Sequence, residues 1–137
     1  METNRMPIVD ITRTAVVTAG PDTPVGDVTR AMRERDLDYV VVLAENDPLG
    51  LLSPADIGRA YVAGTDLGNV TAGELVSDDP LTVEASADLS TFVGLLGDTG
   101  ARRAIVVDDD GFVGVVTLED ALAQYGRDLT QVLDLLD

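Results

Sequence analysis

Apolar residues in this chain fall into short runs, and the order of the runs repeats. Tyr39–Leu43 and Arg103–Val107 are aliphatic stretches of strand length. Each leads through a turn (Glu45-Asn46-Asp47, and Asp109-Asp110-Gly111) into a second apolar run. Continuous aliphatic runs bounded by turn residues predict short buried strands joined by hairpins. Upstream, Val25, Val28 and Met32 share one helical face, as do Leu89, Phe92 and Leu96. These helices are expected to start at Asp22-Thr23-Pro24, with Pro near the first helical position, and at Ser86-Ala87-Asp88. Gly94, Gly97 and Gly100 weaken the second of them and leave its end open. Brief extended stretches precede both, at Val16-Val17-Thr18 and Pro80-Leu81-Thr82. Closing helices are expected from about Pro54 to Ala63 and from Leu118 to Tyr125.

One offset relates the two sets. Gly50 and Gly114, Asp56 and Asp120, and Tyr61 and Tyr125 each stand 64 positions apart. Small apolar segments at Ile8–Ile11 and Ala72–Leu75 obey the same spacing. Each half therefore reads strand, helix, strand, strand, helix, and neither is large enough to be stable alone. The fold class expected is α/β (α+β), with two β-α-β-β-α repeats packed by pseudo-twofold symmetry into one module.

The most specific segments are Gly50-Leu51-Leu52-Ser53-Pro54-Ala55-Asp56 and Gly114-Val115-Val116-Thr117-Leu118-Glu119-Asp120. Each is the end of a buried strand turning into a helix, with Ser53 or Thr117 at the N-cap and Asp at the third helical position. Free amides, a hydroxyl and a carboxylate thus gather at one helix N-terminus, where a phosphate and a ribose diol can be held. The same residue types also make a capping box, which needs no ligand. Spacing alone leaves both readings open.

Composition narrows the chemistry. The chain has 137 residues, 45% of them hydrophobic but only 4% aromatic, so the core must be aliphatic. Net charge is −16, and all nine basic residues are Arg. So negative a surface repels nucleic acid and anionic membranes, and neither is an expected partner. An acid-rich, lysine-free composition suits concentrated salt, which screens self-repulsion, and points to a salt-loving source such as a halophilic archaeon. The chain contains no His and no Cys. Disulfides, zinc clusters, thiol nucleophiles and His-dependent triads are thereby excluded, and the lack of Lys excludes a Schiff base. No apolar run reaches membrane-spanning length and no signal peptide is visible, so a cytoplasmic location is expected. Asp108-Asp109-Asp110 invites a calcium-loop reading, but Phe112 and Val113 occupy required ligand and glycine places; a hairpin is expected instead.

With these residues in view, the chain resembles a tandem cystathionine-β-synthase (CBS) domain pair, or Bateman module, over about Ile8 to Tyr125. The two Gly-led segments match that family's Gly-hydrophobic-x-Ser/Thr-x-x-Asp signature, and Arg102-Arg103-Ala104-Ile105-Val106-Val107-Asp108 is similar to its basic-then-Pro-Val-Val-Asp strand, although Ile105, like Val41 in the first repeat, stands where the Pro is usual. The resemblance implies repeats at 8–64 and 72–126, with 127–137 as a C-terminal helix or tail. It implies a non-enzymatic regulatory module, with no catalytic residue, no metal and no obligatory cofactor. An adenosine-containing ligand (AMP, ADP, ATP or S-adenosylmethionine) would bind in the cleft between repeats. The module would form a homodimer and signal to an enzyme or transporter. Carried onto this chain, Asp56 and Asp120 would bind ribose hydroxyls, and Ser53 and Thr117 ribose or phosphate. The backbones at Val17-Thr18 and Leu81-Thr82 would face adenine, Val42 and Val106 would line the base pocket, and Arg102 and Arg103 would contact phosphate. Asp38 and Tyr39 stand where the first repeat would need those two arginines, which predicts unequal sites. The alternative is a ligand-independent dimerisation scaffold in which both motifs merely cap helices. Tyr61 and Tyr125 are expected to be core or interface residues. Leu129, Val132, Leu133 and Leu136 share a face that either packs back on the module or meets a partner.

Overall fold

Two three-stranded sheets form, in the orders β1-β2-β3 (Thr18–Ala19, Val40–Ala44, Asp47–Leu52) and β4-β5-β6 (Thr82–Glu84, Arg103–Asp108, Gly111–Thr117). The computed structural model describes residues 5–76 and 80–135. Among the described residues, five helices accompany the sheets: α1 (Val25–Arg35), α2 (Pro54–Val62), α3 (Ala72–Leu75), α4 (Leu89–Thr99) and α5 (Leu118–Leu135). Ile8–Ile11 and Leu67–Asn69 are single 3-10 turns. The fold is mixed α+β, as expected.

The 64-residue offset survives in the hydrogen bonding. β1 runs parallel to β2 with Thr18 opposite Val41, and β4 runs parallel to β5 with Thr82 opposite Ile105. β2 and β3 are antiparallel, with Val41 opposite Leu51. Val40, Val41 and Val42 are all buried, as are Ala104, Ile105 and Val106, which is why these strands read as unbroken aliphatic runs.

Contacts group the chain into two compact units that cut across sequence order. One comprises 1–14, 81–109 and 113–137; the other comprises 15–80 and 110–112. The core of the first gathers Leu89, Phe92 and Leu96 of α4 with Val106, Val116 and Ala121, and it also takes Ile8. The core of the second gathers Val25, Val28 and Met32 of α1 with Val40, Val42, Leu52 and Ile57, and it takes Ala72. Each leading segment thus packs with elements that lie far from it in sequence. Backbone bonds hold both in the same way. The Ile8 N–H donates to Ala87 O at 2.8 Å, and the Ala72 N–H, 64 positions on, donates to Thr23 O at 2.8 Å.

Several boundaries differ from expectation. Pro24 is the N-cap of α1 and not its first turn, and β1 begins at Thr18, after Val16 and Val17. The glycines do not break α4. Gly94 and Gly97 face open space, and the helix ends when Gly100 takes the left-handed conformation (φ 74°), its N–H donating to Leu96 O at 2.8 Å. The largest difference is α5, which runs on from Tyr125 through Gly126 to Leu135. A side-chain bond one turn apart bridges the glycine: Gln124 donates to Asp128 at 3.0 Å. Tyr61 is 72% exposed, so it is not a core residue, whereas Tyr125 packs against the first unit's core. Leu129 and Leu133 are exposed and do not pack back; Leu136 lies outside the described residues.

Candidate functional site

Both Gly-led segments build the same strand-to-helix corner. At the end of β3, Ser53 caps α2. The Asp56 N–H donates to Ser53 Oγ at 3.3 Å, while the Ser53 N–H donates to Asp56 Oδ2 at 2.8 Å. At the end of β6, the Asp120 N–H donates to Thr117 Oγ1 at 3.1 Å and the Thr117 N–H donates to Asp120 Oδ2 at 3.2 Å. Both are reciprocal capping boxes, with a short Asp doing the work usual for Glu. The capping half of the open question is therefore settled in the affirmative at both corners, and each carboxylate remains only partly buried.

The corners differ in what else reaches the carboxylate. At the first, Arg59 of α2 pairs with Asp56 from the next turn of the same helix. At the second, Arg13 arrives from the N-terminal segment. Its Nη2 donates to Asp120 Oδ1 at 2.9 Å, and its Nε lies 3.2 Å from both carboxylate oxygens. The Arg13 backbone is fixed by a two-way pairing with Val115: N–H to O at 2.9 Å and O from N–H at 3.0 Å. Arg13 is 61% exposed, but Asp120 only 16%. Partial burial pushes the Asp120 carboxyl up, yet the bonds from Arg13 and Thr117 and the Arg13 charge outweigh it and hold the group below its ordinary range.

A second guanidinium stands at this corner. The Leu118 N–H donates to Arg102 O at 2.8 Å, bringing the start of β5 to the first turn of α5. There Arg102 Nη2 donates to Glu119 Oε1 at 3.2 Å across the surface. Arg102 is thus paired with Glu119. The Glu119 carboxyl is held below its ordinary range first by its own backbone N–H and then by Arg102. Arg103 is half-buried in β5.

The remaining sequence-chosen residues divide by unit. Thr117, Asp120, Leu81, Thr82, Arg102, Arg103 and Val106 lie in one; Ser53, Asp56, Val17, Thr18 and Val42 lie in the other. Thr18 and Thr82 are exposed at equivalent places on their sheets. Val17 O accepts from the Val41 N–H at 3.1 Å and Leu81 O from the Ile105 N–H at 2.9 Å, so those carbonyls are engaged in the ladders. Val42 and Val106 are fully buried among core side chains; the alternate residues Val41 and Ile105 face the other side of each sheet. Depressions of about 410 and 400 Å³ lie along α1. Asp38 and Pro54 line the second of these, but none of Val17, Thr18, Ser53 or Asp56 lines either. Neither of these two depressions reaches the hydroxyl or the carboxylate of either motif corner. Arg13 was invisible in the sequence reading: it carries no motif and stands 107 positions from Asp120.

The architecture and the paired corners define a class: an α+β protein of two homologous repeats, each presenting a hydroxyl and a carboxylate at a strand-to-helix turn. The CBS domain family matches residues 5–63 and 72–126, and the chain belongs to that family. A CBS domain pair is in general a regulatory module. An uncharacterised protein of Methanopyrus kandleri is 32% identical over 116 residues, 82% of this chain and 59% of that protein. The chain thus spans little more than half the length of that relative. Hypoxic response protein 1 of Mycobacterium tuberculosis is 30% identical over 113 residues, 81% of this chain and 79% of that protein. A crystal structure of hypoxic response protein I with two coordinated zinc ions superposes with a TM-score of 0.76 at 26% identity, over 90% of this chain and 99% of that one. The CBS domain of a bacterial CNNM/CorC family Mg2+ transporter in complex with ATP gives 0.74 at 26% identity, over 85% and 84% of the two chains. Among the described residues, no helix is long and apolar enough to cross a membrane.

Proposed function

We propose that this protein is a non-enzymatic sensor that binds an adenosine-containing ligand (AMP, ADP, ATP or S-adenosylmethionine) and passes its occupancy to a partner enzyme or transporter. The observation that carries the reading is the Thr117–Asp120 corner, where a hydroxyl and a carboxylate stand at the start of an 18-residue helix with Arg13 on Asp120 and Arg102 on the neighbouring Glu119. A ribose diol suits the carboxylate, and phosphate suits the Arg102 guanidinium. The ATP complex of the CNNM/CorC relative supports the ligand class. Zinc, which the hypoxic response protein structure holds, has no such support, because this chain lacks the His and Cys that zinc favours. The Asp56 corner has no equivalent of Arg102, since Asp38 stands there, so the two sites are unequal. Calorimetric titration with AMP, ATP and S-adenosylmethionine in concentrated salt tests this. We expect about one equivalent of nucleotide, lost in Asp120→Ala; absence of heat with all three compounds would sink the reading.

A second reading has its own support. Both capping boxes are closed and both aspartates already have guanidinium partners, which is all a ligand-independent scaffold requires. Leu122, Leu129 and Leu133 form an exposed stripe on α5, and a homodimer is the arrangement that would cover it. On this reading Asp120→Ala lowers stability by about 1 kcal/mol and changes nothing else.

A further inference from the structure

Asp120 is already engaged on both oxygens. An ionised carboxylate offers about four lone-pair sites. Three donors, Arg13 Nη2 and Nε and the Thr117 N–H, approach its two oxygens at 2.9 to 3.2 Å, Nε being shared between both, and leave too little room for a diol. A ribose diol brings two hydroxyl donors to the same atoms, so ligand and Arg13 compete. Because the Arg13 backbone is clamped to Val115 in both directions, release moves the side chain and not the strand. The freed guanidinium stays beside the corner, and so beside whatever the ribose carries. An uncharged nucleoside would break a bidentate ion pair and offer nothing in exchange, whereas a phosphorylated one supplies a second anion that the fork of Arg fits. The first corner lacks this arrangement in sequence, since the residue 64 positions after Arg13 is Ser77.

Resting on the adenosine reading of Asp120, we propose that Arg13 is a specificity-determining residue: it occupies Asp120 until a ligand arrives, then transfers to the ligand's phosphate, so that phosphorylated adenosine is selected over adenosine. The test is calorimetry with AMP and with adenosine on the full chain, comparing the parent with Arg13→Gln and Arg13→Lys. Arg13 is mostly exposed, and matching circular dichroism will establish that the variants fold. Arg13→Gln should tighten adenosine and weaken AMP, lowering the ratio of the two affinities about tenfold, the size of one charge-assisted bond. Arg13→Lys keeps the charge without the fork and should give an intermediate ratio. A ratio unchanged in Arg13→Gln, with both compounds still binding, overturns the role of Arg13 while leaving the sensor reading intact. If the parent binds neither compound, this inference falls, and the sensor reading falls with it only when ATP and S-adenosylmethionine also give no heat.

Discussion

Gly114 lies directly beneath Arg13: a Cβ built on Gly114 would collide with the Arg13 carbonyl oxygen and stand 2.8 Å from Thr12 Cγ2. The glycine of the second motif is thus required by backbone approach. Gly114→Ala should push the N-terminal segment off β6 and destabilise the protein by about 1–3 kcal/mol. Gly97→Ala, in open space on α4, should instead stabilise by roughly 0.5–1 kcal/mol. Thermal melts of the two variants should move in opposite directions.

Ile8 is fully buried in the core that includes Phe92 and Val116. Ile8→Ala should therefore cost about 2–5 kcal/mol, as for any large-to-small change in a core. Denaturant unfolding measures it. A loss below half a kcal/mol, the scale of a surface change, would show that the leading segment is not part of this core.

The caps predict a smaller effect. Ser53→Ala and Thr117→Ala each remove one half of a capping box and should cost about 1 kcal/mol. Equal losses would show that the two corners are mechanically alike even though their charges differ.

Asp120 gives a pH dependence with a definite sign. Its folded-state pKa lies below the ordinary value, so the unfolded chain binds the extra proton. The stabilisation is complete above about pH 4 and is lost as pH falls through the lowered folded value. Asp120→Asn should thus be less stable than the parent near neutrality, and the gap should close on acidification. Arg13→Gln should move the Asp120 titration back towards the ordinary carboxylate range, observable by NMR.

The stripe of Leu122, Leu129 and Leu133 predicts assembly that strengthens with salt, because each copy carries a charge of −16. Sedimentation at rising salt should show a dimer forming. Leu129→Glu should shift the equilibrium to monomer with little change in melting temperature.

Legibility varied by element. The strands were readable because β2 and β5 are buried on both faces and so carry unbroken aliphatic runs. The helix faces of α1 and α4 were readable because their apolar residues recur at helical spacing. The length of α5 was not, since a local side-chain bond carries it past Gly126 and no start or stop signal marks it. Asp56 and Asp120 stood out by spacing, but their partners followed different rules. Arg59 sits one turn along the same helix, within reach of sequence reasoning, while Arg13 reaches Asp120 from the other end of the chain.

The sequence by itself determined the repeat, the strands and long helices of each half and the two capped corners, because periodicity and capping act over a few residues. Tertiary structure alone decided that Ile8 and Ala72 pack with elements far along the chain, and that Arg13 meets Asp120. Such pairings depend on where a backbone returns after many residues. No local pattern of apolar and polar positions encodes that return.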